Sequence, residues 1–396
     1  MPQITIGLPT YNGAKYLQET IESILSQTFT DYELIIIDDH SEDDTVKIVH
    51  SFKDQRIKLI ENPNRLGLVG NWNKCLEEAK EEYICLFHQD DVMMPDNLTR
   101  KIDILKNNKS VGMVHSNVYQ IGPDGSILSK WWYFKPAPNE DIVQPGSAIF
   151  NKLLWGVNTV CCPSVVLKRE CYEKLGGFDY QLPFTADWEM WLRIALFYDI
   201  AYLPQGLIKY RRHDSNETHK YLGVKELKHA HRAKIRVLEK YPENVPSNEA
   251  TSQKVSQWYK KQALGRAINY YKQKNLKEAK TYLAYAQELN EIVSKTSFPK
   301  DQTLDLLLET IEIAERQNPE QNAITYDSHQ IPVPELSLIY QPIQLQMRYN
   351  LSAEEMAKHI PLQRIIQTIL FKVGNLPKLG WLYHFRSFGK KFLGGK

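Results

Sequence analysis

The chain has 396 residues, of which 42% are hydrophobic and 24% charged, so it suits two or three domains and can bury a core. Basic and acidic side chains nearly cancel to a net charge of +2, which argues against a nucleic-acid-binding protein. The five cysteines form no Cys-X-X-Cys pair and predict neither a disulfide framework nor a zinc site, which indicates a reducing, cytoplasmic compartment. The N-terminus enters a strand pattern at once and no apolar run of about 18 residues occurs, so we expect neither a signal peptide nor a membrane-spanning helix.

Short apolar runs alternate with amphipathic stretches over the first 90 residues. This alternation is typical of βαβ units and a parallel sheet, and the nearly continuous apolar strands indicate that both faces of the sheet are covered. The predicted strands are 4–8, 32–37, 57–60 and 83–87, and the predicted helices between them are 15–27, 45–52 and 70–80.

After about Ser215 the composition shifts to Lys, Glu, Ala and Leu, and helices are predicted over 224–241 and within 250–290. We interpret 221–317 as a helical region, 318–345 as a Pro-, Gln- and Ser-rich linker and 346–396 as a basic amphipathic segment. A tetratricopeptide-like hairpin and an ordinary helical hairpin are equal alternatives for the second stretch, because stacked repeats need neighbours. The positions that fit the repeat are Ala263, Ala267, Tyr270, Ala279, Leu283 and Ala286.

Two acidic pairs follow two of the predicted strands. Asp38 and Asp39 close the second strand, and Asp90 and Asp91 close the fourth. Either pair alone would serve as a helix N-cap. Ligands of open α/β sheets bind at the carboxyl ends of strands, however, and carboxylates there can bind a base or ribose, or hold a divalent cation against phosphate.

Six motifs then occur in a fixed order. They are Pro9-Thr10-Tyr11-Asn12, Asp38-Asp39-His40-Ser41, Asn64-Arg65-Leu66-Gly67, His88-Gln89-Asp90-Asp91, Gly176-Gly177-Phe178-Asp179 with Ala186-Asp187-Trp188-Glu189, and Tyr210-Arg211-Arg212-His213-Asp214-Ser215. This ordered set resembles the family 2 glycosyltransferases over residues 1 to about 216. One departure is Gln89, which stands where the metal-binding Asp-X-Asp motif of that family has its first Asp.

The resemblance implies a GT-A fold for a catalytic domain over 1–220, with a mainly parallel sheet and helices on both faces. It implies a divalent cation (Mn²⁺ or Mg²⁺) and a nucleoside-diphosphate sugar, UDP first and dTDP as the alternative. The implied nucleotide-binding residues are Pro9, Tyr11, Asn12, Asp39, Arg65 and Asp90, the metal ligand is Asp91, and the general base is Asp187. His213 is either a further metal or pyrophosphate ligand or a surface or capping histidine, and His88 is interpreted as structural.

The chemistry of sugar transfer accounts for these roles. A cation held by Asp91 would stabilise the charge on the departing diphosphate, and Arg65 or the Arg211-Arg212 pair would bind phosphate. Asp187 would take the acceptor's proton, a contribution of about 10²–10⁴-fold, and burial would raise its pKa toward the working pH. Attack opposite the leaving group inverts the anomeric carbon.

The last 38 residues, 359–396, contain seven Lys or Arg residues interleaved with aromatic and aliphatic residues, and no Asp or Glu. Such a segment is typical of one that lies on an anionic membrane surface, and a terminal helix packed on the protein is the alternative. We therefore expect an inverting glycosyltransferase, cytoplasmic or peripheral on the inner face of the membrane, acting on a glycan or lipid-linked acceptor. The alternatives are a non-catalytic nucleotide-sugar or glycan-binding module and a sugar-phosphate nucleotidyltransferase, whose Gly-rich basic loop this chain lacks.

Overall fold

The computed structural model describes residues 2–129, 139–245, 248–273 and 275–294. The predicted linker, the basic segment including 359–396, and the end of the predicted helical region lie outside these residues. A first compact unit runs from Met1 to Ser256, and a second begins at Gln257. No helix in the described ranges combines the length and apolar character needed to cross a membrane.

The first unit is an α/β structure, as predicted. Its strands are β1 (Ile4–Thr10), β2 (Tyr32–Asp38), β3 (Ile57–Glu61), β4 (Tyr83–Leu86), β5 (Val92–Met93), β6 (Val111–Ile121), β7 (Ile127–Ser129), β8 (Ile142–Gln144), β9 (Val166–Lys168) and β10 (Asp199–Arg211). Its helices are α1 (Ala14–Leu25), α2 (Thr45–Ser51), α3 (Gly67–Glu78), α4 (Asn97–Asn107), α5 (Gly146–Trp155), α6 (Arg169–Leu175), α7 (Ala186–Phe197) and α8 (Val224–Lys240).

One mixed sheet runs in the order β3-β2-β1-β4-β9-β6-β10-β5, with β7 beside β6 and β8 beside β10. The strands β1 to β4 are mutually parallel, and β9 is antiparallel to both of its neighbours. Nearly every residue of β1 and β2 is buried, which requires cover on both faces of the sheet. The parallel half therefore brings the polar ends of β1, β2 and β4 to one edge, where the predicted site residues lie.

The second unit contains the rest of α9 (Asn248–Lys272), which begins in the first unit, and α10 (Leu276–Ser294). The two helices form an antiparallel hairpin: the Lys260 ammonium donates to the Asn290 side chain (3.0 Å) and the Tyr270 ring stacks on Tyr282 at 5.5 Å. The small and aliphatic positions of the predicted repeat are fully buried, namely Ala263, Ala267, Ala279, Leu283 and Ala286. The hairpin itself is thus present, and its relation to tetratricopeptide repeats stays a prediction.

Candidate active site

The turn after β4 gathers three side chains that can ligate a metal. His88, Asp90 and Asp91 each offer a ligand atom, and these atoms lie within 4.8 Å of one another; we call this set the acidic cluster. The cluster brings in His88, which the sequence led us to interpret as structural. Its ring also stacks on Trp72, with 5.4 Å between the ring centroids.

The Asp91 carboxylate is fully buried and half satisfied. Its Oδ1 accepts the backbone N–H of Arg211 (2.8 Å), whereas Oδ2 is buried without a hydrogen-bond partner among the described residues and lies 3.8 Å from His88 Nδ1. Burial, reinforced by the neighbouring Asp90 charge, raises the pKa of Asp91 well above its usual range. A buried carboxylate oxygen without a partner is costly. The residues therefore fit a divalent cation, which would satisfy that oxygen and favour the charged carboxylate.

Asp90 faces the segment that follows β10. Its Oδ2 lies 2.9 Å from His213 Nε2 and accepts the Asn216 side-chain amide (3.2 Å). The structure thus places His213, a predicted metal ligand, directly on Asp90. Asn216, which the sequence analysis missed, is buried and also accepts the N–H of His213 (2.6 Å).

Arg211 is committed to holding this turn. Its buried guanidinium donates to the Asp90 carbonyl (2.8 Å), contacts the Glu19 carboxylate and lies over the Tyr16 ring at 4.6 Å. Its neighbour Arg212 is partly exposed, and the predicted binding of phosphate by this pair stays a prediction.

The Asp39 carboxylate orders the loop before α3. Its Oδ1 accepts the N–H of Leu66 (2.7 Å) and the Asn62 amide (3.0 Å), and its Oδ2 accepts the N–H of Gly67 (2.8 Å). Neither Asp38 nor Asp39 caps α2, because Thr45, the first residue of that helix, donates its backbone N–H to the Asp43 side chain (2.9 Å). The side chain predicted to bind the nucleobase is thus buried against the 64–67 loop.

The loop after β1 lies between the 64–67 loop and the acidic cluster. The Arg65 guanidinium stacks on the Tyr11 ring, 3.8 Å from its centroid. Asn12 adopts a left-handed backbone (φ 46°) and its side-chain oxygen accepts the N–H of Glu42 (2.9 Å). Pro9 is the penultimate residue of β1. The structure therefore brings together Pro9, Tyr11, Asn12 and Arg65, which the sequence predicts to form one nucleotide site.

Asp187 is the second residue of α7. Its Oδ1 accepts the N–H of Trp188 (2.7 Å) and its Oδ2 accepts the Asn158 amide (3.0 Å). Burial raises the pKa of Asp187 to about 6, although these two donors lower it. The upward shift predicted from the tryptophan-rich surroundings is confirmed. Such a pKa suits a general base near neutral pH.

The neighbouring Glu189 has a different task. It is buried and bonds the Arg193 guanidinium (2.9 Å to Nε), which also donates to the carbonyls of Leu175 (2.8 Å), Gly176 (2.9 Å) and Gly177 (2.7 Å). This ion pair fixes the glycine turn of the fifth motif on α7.

The acidic cluster and Asp187 converge on one buried group. Burial raises the pKa of the Cys161 thiol, and the charges of Asp91 and Asp187 raise it further. Both carboxylates are therefore within electrostatic range of the same side chain.

Comparisons with known proteins identify relatives of this chain. The family model "Glycosyl transferase family 2" matches residues 5–176. An uncharacterized glycosyltransferase of Methanocaldococcus jannaschii is 31% identical over 53% of this chain and 71% of its own length. The UDP-Glc:alpha-D-GlcNAc-diphosphoundecaprenol beta-1,3-glucosyltransferase WfgD of Escherichia coli is 32% identical over 54% of this chain and 78% of its own length.

Among solved structures, residues 1–349 of TarS from S. aureus, crystallised with UDP-GlcNAc, superpose with a TM-score of 0.55 at 13% identity. The match covers 80% of this chain and 92% of that one. At this identity the likeness concerns the fold, and it agrees with the predicted GT-A architecture. On the relatives and the ordered motifs together, the chain belongs to glycosyltransferase family 2.

Proposed function

We propose that residues 1–220 carry an inverting transferase that moves a sugar from a nucleoside-diphosphate sugar to a hydroxyl of a glycan or lipid-linked acceptor. UDP is our first choice of nucleotide because WfgD, whose name specifies UDP-Glc and a diphosphoundecaprenol acceptor, is 32% identical. A lipid-linked acceptor agrees with a protein peripheral on the inner face of the membrane. The observation that carries the proposal is the buried Oδ2 of Asp91, which has no hydrogen-bond partner among the described residues and which a divalent cation would satisfy.

On the donor side, Asp91, Asp90 and His88 would hold the divalent cation, with His213 joining through Asp90. The cation would supply charge stabilisation for the departing diphosphate. An imidazole among carboxylates suits Mn²⁺ better than Mg²⁺, which prefers oxygen ligands. The loop around Tyr11 and the 64–67 loop ordered by Asp39 would receive the nucleoside.

On the acceptor side, Asp187 would accept the proton of the attacking hydroxyl. With its pKa raised to about 6, it is mostly ionised at pH 7 and still basic enough to take a proton in the transition state. One carboxylate acting opposite the leaving group gives a single in-line displacement, and hence inversion.

A thermal-shift series tests the donor half of this proposal. We expect UDP with Mn²⁺ to stabilise the wild type by about 3 kcal/mol at a hundredfold excess over Kd. The same measurement with dTDP, GDP and CMP tests the specificity for the nucleotide. Asp91→Asn should lose most of the metal-dependent stabilisation and stay folded, because it removes the charge but not the shape. The exposed Asp103 of α4 gives a matched control, Asp103→Asn. Undiminished metal-dependent binding by Asp91→Asn would remove Asp91 from the site.

A further inference from the structure

The side chain of Gln89 joins the acidic turn to the loop after β1. Its Oε1 accepts the backbone N–H of Tyr11 (2.8 Å) and its Nε2 donates to the Tyr11 carbonyl (3.1 Å). One amide thus satisfies both backbone groups of one residue. The Gln89 side chain is therefore directed toward the protein backbone.

Gly13 leaves the space that this arrangement needs. A Cβ atom on Gly13 would lie 2.2 Å from Gln89 Oε1 and 2.5 Å from Gln89 Cδ, far inside van der Waals contact. Its own backbone φ is negative (−102°), so the glycine is required by space and not by conformation. Gln89 and Gly13 therefore form a matched pair.

Side chains satisfy four successive backbone donors of this loop. Besides Tyr11, the N–H groups of Asn12, Gly13 and Ala14 donate to Ser41 Oγ (2.9 Å), Thr45 Oγ1 (2.8 Å) and Asp43 Oδ2 (3.1 Å). Three of these acceptors come from the segment after β2, and the fourth, Gln89, comes from the acidic turn. The Gln89 side chain therefore ties the loop to the acidic turn.

The acidic turn has a separate anchor. The Thr20 hydroxyl contacts the carbonyl oxygens of Gln89 and Asp91, both at 2.9 Å. Both contacts involve the backbone of the turn, so they survive any change of the Gln89 side chain. A variant at position 89 should thus release the loop without releasing the turn.

We propose that Gln89 is a positioning residue that locks the nucleotide-binding loop, residues 10–13, to the acidic cluster in one register before the donor binds. This inference rests on the proposed function, since it assumes that loop and cluster bind two ends of one donor. An amide can accept and donate at once, whereas a carboxylate only accepts, and Asp is also one methylene shorter. An Asp at this position should therefore weaken donor binding.

The first test compares Gln89→Asp and Gln89→Glu with the wild type in UDP binding with Mn²⁺ and in sugar transfer. A loop that is competent only part of the time reduces apparent affinity by that fraction. We expect donor Kd and KM to rise about tenfold, the equivalent of one lost hydrogen bond, with kcat changing less than threefold. A purely structural defect would instead lower the active fraction and kcat at constant KM.

Gln27 provides the matched control. It is buried, its Nε2 donates to the Met94 carbonyl (2.8 Å) and its Oε1 accepts the N–H of Leu98 (3.2 Å). Gln27→Glu breaks the same kind of amide-to-backbone tie at a place where no donor is expected. It should lower Tm and leave donor KM unchanged.

The second test needs no ligand. Hydrogen exchange of the Tyr11 amide should accelerate at least tenfold in Gln89→Met, which removes the acceptor of that N–H, and stay unchanged in Gln27→Glu. Unchanged Tyr11 exchange together with unchanged donor KM in the Gln89 variants would show that Gln89 does not lock the loop to the acidic cluster. Failure of the wild type to bind any nucleotide would instead overturn the proposed function, and Tyr11 exchange would still decide whether Gln89 locks the loop.

Discussion

Asp187 experiences two opposing influences. The Trp188 N–H and the Asn158 amide stabilise its ionised form, and burial destabilises that form. Burial prevails and raises the pKa to about 6, which is more than is usual for a carboxylate in the first turn of a helix, where the helix dipole lowers it. A side chain present only to cap the helix would have no need of this shift.

Asp187→Asn separates catalysis from capping. Asn keeps the size of the side chain and its capping ability, but cannot take a proton. We expect kcat to fall by about 10²-fold or more with donor KM nearly unchanged, because the proton moves only in the transition state. Glu189→Gln is the control: it should reduce thermal stability through its lost bond to Arg193 and spare the chemical step. A near-wild-type rate for Asp187→Asn would remove Asp187 from the mechanism.

The pH dependence of transfer follows from the same carboxylate. Because the base must be ionised, and its pKa is raised to about 6, the rate should reach a plateau above that pH and fall about tenfold per unit below it. Asp187→Asn should show a low rate without this acidic limb. Profiles of kcat for both proteins, measured with saturating donor and Mn²⁺, check this expectation. An acidic limb that persists in the variant would assign the titration to another group.

At the scale of elements, the beginning of α3 depends on one backbone conformation. Gly67 has φ 76° and donates its N–H to Asp39, and a Cβ placed on it meets no atom within 4 Å. An alanine there would thus suffer only from the left-handed backbone, at a cost of roughly 1–2 kcal/mol.

We therefore expect Gly67→Ala to lower Tm and to weaken UDP binding, because the donors that orient Asp39 shift. Gly265 in α9 offers the opposite case, since an added Cβ there also meets no atom within 4 Å and the residue is inside a helix. Gly265→Ala should stabilise by about 0.5–1 kcal/mol. Denaturation curves for the two variants should thus move in opposite directions, and equal shifts would contradict the backbone argument.

Most of the strands that the sequence predicted are buried apolar runs. The strands β1, β2 and β4 were found because buried parallel strands are nearly continuous apolar runs, whereas β3 is only partly buried. The strands of the other half were not assigned. In β6, three successive buried residues are polar, His115, Ser116 and Asn117, and β10 contains Pro204 and register shifts around Gly206. Tertiary contacts outweigh local pattern there.

The residues of the site divide in the same way into those that the local sequence pattern reveals and those that only tertiary contacts reveal. Carboxylates at the ends of apolar strands stand out, and Asp39 and Asp91 were singled out on that basis and by resemblance. Asp187 was singled out by resemblance. The amides that organise them, such as Gln89 and Asn216, carry no charge and follow no period. Their partners lie 78 and 126 residues away in the chain, so only the folded structure reveals them.

At the scale of the whole molecule, the basic residues of 359–396 predict that the protein also binds an anionic lipid surface. Each cation near such a surface contributes roughly 1 kcal/mol, screened by salt. We expect the full chain to co-sediment with phosphatidylserine vesicles at low salt and to dissociate at high salt. Deletion of 359–396 should abolish this binding and preserve UDP-dependent stabilisation. If the full chain does not sediment with such vesicles even at low salt, the membrane prediction is wrong.

The contacts that complete the acidic turn can form only late in the synthesis of the chain. Asp91 takes its backbone donor from Arg211, 120 residues later, and Asp90 meets His213 and Asn216 at separations of 123 and 126. At about 5–20 residues per second on the ribosome, the turn waits roughly 6–24 s for these partners. Until β10 emerges from the exit tunnel, the nascent chain carries the turn's carboxylates but lacks the strand that holds them. The proposed metal site would thus be complete only when the last strand of the chain's sheet, β10, has been made.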